Sequence, residues 1–137
     1  EEKTRVVGFC FAFQKQLTLL GGKIDGDLGQ FKQYIKKQNF TNGPDKEIWL
    51  YMAHQYFTLE APQSDKYSII LSSNDMPNLG FICSEGTGLF LQGHPECSVY
   101  HVEKMTHSKV SKQFREDKER VMNMIRGFIA GNNPYEL

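Results

Sequence analysis

Three residues of this chain, Cys10, His94 and Glu96, are of the types that carry nucleophilic catalysis. Cys10 stands in "VVGFCFAFQKQLTLLGGK", where the pattern changes abruptly. Val6, Val7 and Phe9 read as a buried strand, whereas Phe13, Leu17 and Leu20 repeat at helical spacing until Gly21-Gly22 stops the run. A thiol at a strand-to-helix turn stands clear of the sheet and meets the positive end of the following helix. The next backbone N–H, that of Phe11, then points where an oxyanion would form. Such a turn needs small neighbours, and Gly8 and Ala12 flank Cys10 at minus two and plus two. The residues alone leave a second reading open: a small apolar cysteine filling a core, the commoner fate of a free thiol.

A thiol nucleophile needs a base, and "LFLQGHPECSVY" offers one. His94 and Glu96 are two apart, so in extended chain both side chains point the same way. Pro95 between them biases His94 toward that backbone. Glu96 can then hold one imidazole nitrogen and fix the tautomer, leaving the other for a thiol. A loop histidine beside a solvated glutamate is the plain alternative. A zinc set is the rival from another class, because Cys97, His101 and His107 follow His94 and Cys83 lies upstream. Their spacing matches no standard finger and a second cysteine pair is missing, so neither a metal nor any other cofactor is expected.

The elements that must position these residues are read as a strand at Thr4–Cys10, a helix at Phe11–Leu20, and a Gly- and Asp-rich loop through Gly29. A strand at Phe31–Gln38 follows, then shorter ones at Glu47–Ala53, Tyr67–Ser72, Leu79–Cys83 and Gly88–Gln92. "FTNGPDK", "APQSDK", "NDMPN" and "SEGTG" supply the turns between them. Val110, Phe114, Val121, Ile125 and Phe128 form one apolar stripe, which predicts a helix over about Ser108–Ala130. Gly131, Asn132, Asn133 and Pro134 end it. The charges of "SKVSKQFREDKERV" are expected on its solvated face. Trp49, Tyr51, Tyr56 and Phe57 are read as core aromatics. The class is mixed α/β, with hairpin-joined strands between an opening strand–helix unit and a closing helix.

Composition narrows the partners. The 137 residues, 39% hydrophobic and 23% charged, suit a single domain able to bury a core. Sixteen basic and sixteen acidic residues cancel, so nothing calls for nucleic acid or an anionic membrane. No run approaches the roughly 18–20 apolar residues of a membrane span. Three widely spaced cysteines make no disulfide framework, and "EEKTR" is no apolar signal segment. A reducing, intracellular setting in the cytoplasm is therefore expected.

In combination, the two motifs carry a resemblance. "GFCFAFQ…LGGK" resembles the nucleophile elbow of class I glutamine amidotransferases, and "LQGHPE" resembles the histidine–glutamate segment that closes their active site. "WLYMAHQYFTLEAP", "SIILSSND" and "NLGFIC" follow that family's usual succession, so the likeness runs from Val6 to about Glu96. It implies a flavodoxin-like α/β sheet with helices. It makes Cys10 the nucleophile, His94 the general base and acid, Glu96 its orienter and Phe11 N–H an oxyanion donor. Gln14 matches the glutamine that seats the substrate amide, and His54, with Ala53, falls in the loop that lines the substrate pocket in relatives. The implied chemistry is hydrolysis of glutamine or a γ-glutamyl amide through a thioester.

The chain also departs from the family. Ala12 stands where glycine is usual, and Phe13 where residues are polar or small. Relatives carry several strands before the nucleophile strand and a glycine turn that supplies the second oxyanion donor, whereas nine residues precede Cys10 here. One partial domain, 1–137, is expected, completed by a protein partner or an N-terminal segment. Activity is expected if that part is supplied. The alternative is a non-catalytic remnant serving as a structural or interaction component of a larger complex.

Overall fold

Val6–Phe9 forms β1 and Phe11–Leu19 forms α1, with Cys10 at the turn between them, as the change of period predicts. The computed structural model describes residues 4–41, 46–60 and 64–132. The elements that follow are β2 (Gly26–Phe40), β3 (Glu47–Phe57), β4 (Tyr67–Ser72), β5 (Gly80–Cys83), β6 (Gly88–Leu91), α2 (Val99–Thr106) and α3 (Lys112–Ile129). The strands form one sheet in the order β1-β6-β5-β4-β2-β3. β1 runs parallel to β6, and the other neighbouring pairs are antiparallel.

Alternation along the strands sends side chains to two faces, and each face is covered by helix. Leu89 and Leu91 of β6 pack with Leu50 and Met52 of β3 against Val121, Ile125 and Phe128 of α3. Phe90, between the two leucines, turns to the other face and joins Tyr67, Phe81 and the α1 residues Phe13 and Leu17. Phe13 is fully buried there, its ring 5.3 Å from that of Phe81, which accounts for an aromatic at this position. A third cluster of Tyr51, Val102 and Phe114 fastens α2 to β3 and to the start of α3. Arg5 ties the front of β1 to the end of α3. Its Nη1 donates to Phe128 O at 2.9 Å, and its guanidinium lies 4.8 Å over the Phe128 ring.

The sheet curls. β1 and β3 are its two edges, yet His94 N, just beyond β6, donates to Tyr51 O of β3 at 2.8 Å. That closure brings the end of β1 to β3, which a flat sheet of six strands would hold far apart.

Several elements differ from the sequence reading. The helix expected over about 108–130 is α3, which starts only at Lys112 behind its cap Ser111 and so leaves Val110 ahead of it, and α2, capped by Ser98, is a further helix that the sequence reading did not contain. β2 is longer than Phe31–Gln38 because the expected loop is an irregular strand. Its register with β3 shifts between Asp27 and Lys32, where Gly29 takes φ 87° and donates its N–H to Asp27 Oδ1. β3 runs on to Phe57, so His54 is a strand residue and not a loop residue. Tyr51 is buried and Phe57 packs on the core, but Trp49 and Tyr56 are exposed. Asp117, expected among solvated charges, is fully buried. Residues 42–45, 61–63 and 133–137, which hold parts of the expected turns "FTNGPDK" and "APQSDK" and the helix-ending Asn133 and Pro134, lie outside the described residues.

Candidate active site

Cys10 is the residue at which strand becomes helix, and its backbone carries the cost of that turn. It takes φ 52° and ψ −102°, a conformation L residues rarely adopt. Such strain costs about 1–3 kcal/mol and persists only where the surroundings enforce it. The surroundings are visible on both sides. Cys10 N donates to Leu91 O at 2.8 Å, and Gln14 N reaches back to Cys10 O at 3.0 Å. Gly8 leaves no room for a side chain, because a β-carbon there would lie 2.7 Å from Phe90 Cδ1 and 2.8 Å from Ala12 Cβ. Ala12 itself sits in α1 without positive φ, so its methyl group is accommodated against Gly8 without backbone strain. Phe11 is the first residue of α1, and its amide has no partner within the helix by geometry.

His94 reaches Cys10 from the segment after β6. Glu96 Oε2 accepts from His94 Nδ1 at 2.8 Å, so Nε2 is the nitrogen left for the sulfur. Hydrogen bonds to Cys10 and then to Glu96 push the His94 pKa up to about 9, against partial burial that pulls it down. Cys10, His94 and Glu96, drawn from distant parts of the sequence, meet at one place.

The Cys10 thiol also has a protein acceptor. Sγ lies 3.3 Å from Ala53 O in β3, as donor to that carbonyl. Gln92 Nε2 approaches the same sulfur at 3.7 Å. Gln14 is close by, but its Nε2 is engaged by Tyr56 O at 2.9 Å and Gln92 Oε1 at 3.3 Å. His54 is buried behind the strand, with Nδ1 2.8 Å from Tyr56 O and Nε2 2.8 Å from Tyr34 Oη. A carbonyl only accepts, so Nδ1 carries the proton and Nε2 accepts from the tyrosine. Burial lowers the His54 pKa and raises that of Tyr34 to about 12, which keeps both groups neutral in those roles. Gln92, Tyr34 and the carbonyls of Ala53 and Tyr56 are participants that sequence reasoning did not single out. Gln92 alone left a trace there, as the polar residue that closes the apolar run "GLFLQ".

Of the residues weighed as zinc ligands, His94 and Cys97 fall together with Glu96, their ligand atoms all within 4.8 Å of one another. His94 Nδ1 and Glu96 already bond each other there. His101 lies edge-on to Tyr51, and His107 caps α2 in left-handed conformation. Cys83 is on β5. Burial pushes the Cys97 and Cys83 thiols up, toward the unreactive protonated form. The cleft of about 360 Å³ lined by Arg5, Glu85, Thr87 and Ala130 opens at the opposite end of β1 and shares no residue with this constellation. Among the described residues no helix is long and apolar enough to cross a membrane.

No protein-family model matches the chain, and no curated protein matches it in sequence. Solved structures do match it in fold. One is a protein assigned as a GMP synthase subunit from Thermoplasma acidophilum, with TM-score 0.56 and 16% identity over 89% of this chain. Another is a glutamine amidotransferase from Thermotoga maritima, with TM-score 0.55 and 14% identity over 90% of this chain. The curled α/β sheet with helices on both faces is thus a glutamine amidotransferase-like fold. The chain spans 61% and 57% of the length of those two proteins.

Proposed function

We propose that this chain is the nucleophile-bearing part of a cysteine-dependent hydrolase of the glutamine amidotransferase type, acting on glutamine or a γ-glutamyl compound. One observation carries the reading: His94 bonds Glu96 at 2.8 Å and lies near enough to Cys10, a cysteine held in a strained turn at a helix start, for the thiol to be the largest influence on the His94 pKa. The fold shared with a glutamine amidotransferase and a GMP synthase component supports it.

In this mechanism Cys10 gives its proton to the neutral imidazole of His94 and its sulfur attacks the γ-carbonyl carbon, forming a C–S bond. The carbonyl oxygen becomes an oxyanion that accepts from Phe11 N–H. His94 then passes the proton to the amide nitrogen, the C–N bond breaks, and ammonia or an amine leaves. Water enters, His94 takes a proton from it, and the hydroxide cleaves the thioester. Glutamate departs and the proton returns to the sulfur. Glu96 holds the His94 tautomer throughout. Gln14 and the β3 segment from Ala53 to Tyr56, braced from behind by His54, form the wall against which the substrate amide lies. The chemistry needs no cofactor, and a free catalytic thiol suits a reducing cytoplasm.

β1 has β6 on one side and, among the described residues, no strand on the other; Val6 is 51% exposed. A further strand, from a partner protein or an N-terminal segment, completes the sheet and brings the second oxyanion donor. One missing donor costs about 100- to 1,000-fold in rate. The same bare edge favours the second reading, a non-catalytic subunit that uses it to bind a partner. Ammonia and glutamate release by the protein, compared with Cys10→Ala, tests the first reading. Release that Cys10→Ala abolishes supports it, and equal rates reject it. A monomeric, cooperatively melting chain that hydrolyses glutamine contradicts the second.

A further inference from the structure

Gln92 is fully buried directly after β6, where it follows the buried apolar run Leu89, Phe90 and Leu91. A buried carboxamide is tolerated only where its donors and acceptor are met. Here the partners also fix which way the amide faces. Gln14 Nε2 donates to Tyr56 O at 2.9 Å and to Gln92 Oε1 at 3.3 Å. With Oε1 committed to that donor, Gln92 turns its N–H side to Cys10 Sγ, 3.7 Å away. A flipped amide would set N–H against N–H at Gln14 and oxygen against sulfur at Cys10. The backbone prevents drift as well, since Gln92 N donates to Leu79 O at 2.9 Å.

We propose that Gln92 is a positioning residue for the nucleophile: its oriented amide holds the Cys10 sulfur and favours it as an anion once the proton has moved to His94. Gln14 acts through Gln92, by setting the amide's orientation. The consequence for turnover rests on the activity proposed above; the effect on the thiol does not. As an anion the sulfur can no longer donate to the Ala53 carbonyl and only accepts, and Gln92 is placed to supply a donor.

The test measures the rate at which iodoacetamide alkylates each cysteine of the intact protein at neutral pH, read by mass spectrometry of the separate peptides. Gln92→Met keeps volume and removes the amide. It is expected to slow alkylation of Cys10 by about tenfold, the worth of one hydrogen bond to a charged group. Cys83 and Cys97 stay within about twofold, since neither bonds to Gln92. Gln14→Leu, which leaves Gln92 in place but frees its orientation, is expected to slow Cys10 by a smaller factor and covers the case in which Gln92→Met does not fold. Cys10 rates within about twofold of wild type in a folded variant would overturn the proposal, as would equal slowing of all three cysteines. Variants that show the Cys10-specific slowing, beside a wild type that releases no glutamate, leave the positioning role standing and remove the activity. Hydrolysis without the effect does the reverse.

Discussion

Cys10 and Ala53 belong to opposite edges of the sheet, yet Cys10 Sγ lies 3.3 Å from Ala53 O. The curl of the sheet makes that contact, and the contact defines a resting state. A thiol that donates to a carbonyl still holds its proton. Once His94 takes the proton, sulfur and carbonyl oxygen repel each other and the sulfur is released toward the substrate side. The same β3 segment is pinned from behind, because Tyr56 O takes bonds from both Gln14 Nε2 and His54 Nδ1.

The two histidines of this region should give stability a pH maximum between them. His94 has its folded pKa raised to about 9, so its contribution is complete below the unfolded value of about 6.5 and is lost as pH rises through 9. The full loss is on the order of 3 kcal/mol. His54 has its pKa lowered by burial, so the folded state resists the proton that the unfolded chain accepts. Stability therefore falls as pH drops below about 6.5. Urea unfolding from pH 5 to 10 should show both limbs, with His94→Ala flattening the alkaline one. An unchanged alkaline limb in that variant would remove the ionic role given to His94.

Gly8→Ala should destabilise the fold by about 1–3 kcal/mol through overpacking, since the new methyl group meets Phe90 and Ala12 below 3 Å. Those neighbours set the turn at Cys10, so alkylation of Cys10 should slow more than that of Cys83 or Cys97. Chemical denaturation and peptide-resolved alkylation of the same sample measure the two effects together.

Asp117→Ala should cost about 1–3 kcal/mol in urea unfolding. The buried carboxylate accepts from Trp49 N at 2.9 Å and from Gln113 Nε2 at 2.8 Å, and its loss strands an N–H of β3. Asp117→Asn retains an acceptor for Trp49 and should cost less. Equal losses in the two variants would show that charge, and not the hydrogen bond, anchors α3 to β3.

The sequence made the turn at Cys10 readable because a β-period apolar run met a helical one there, with glycine and alanine as the small neighbours. β4 at Tyr67–Ser72 and the body of α3 were readable for the same reason, strong periodicity between clear turns. α2 was not, since its eight residues bury only Val102 and its cap is the lone Ser98. The early part of β2 looked like a loop because its polar residues face solvent along a hairpin arm and its bulge uses Asp27 and Gly29. Asp117 looked like one more surface charge, since its partner is a backbone N–H some 68 positions away. Gln92 and Tyr34 were hidden for a related reason: their roles lie in which atoms the curled sheet brings near them, and periodicity carries no trace of that.

The most direct test of the central claim is covalent labelling of the protein with a glutamine-like electrophile, a diazoketone analogue of glutamine, followed by peptide mass spectrometry. The account predicts a single adduct on Cys10, slowed by added glutamine and lost in His94→Ala. Cys83 and Cys97 should stay unmodified, because burial keeps their thiols protonated. Labelling spread evenly over the three cysteines, or a Cys10 adduct that ignores both glutamine and His94→Ala, would contradict it.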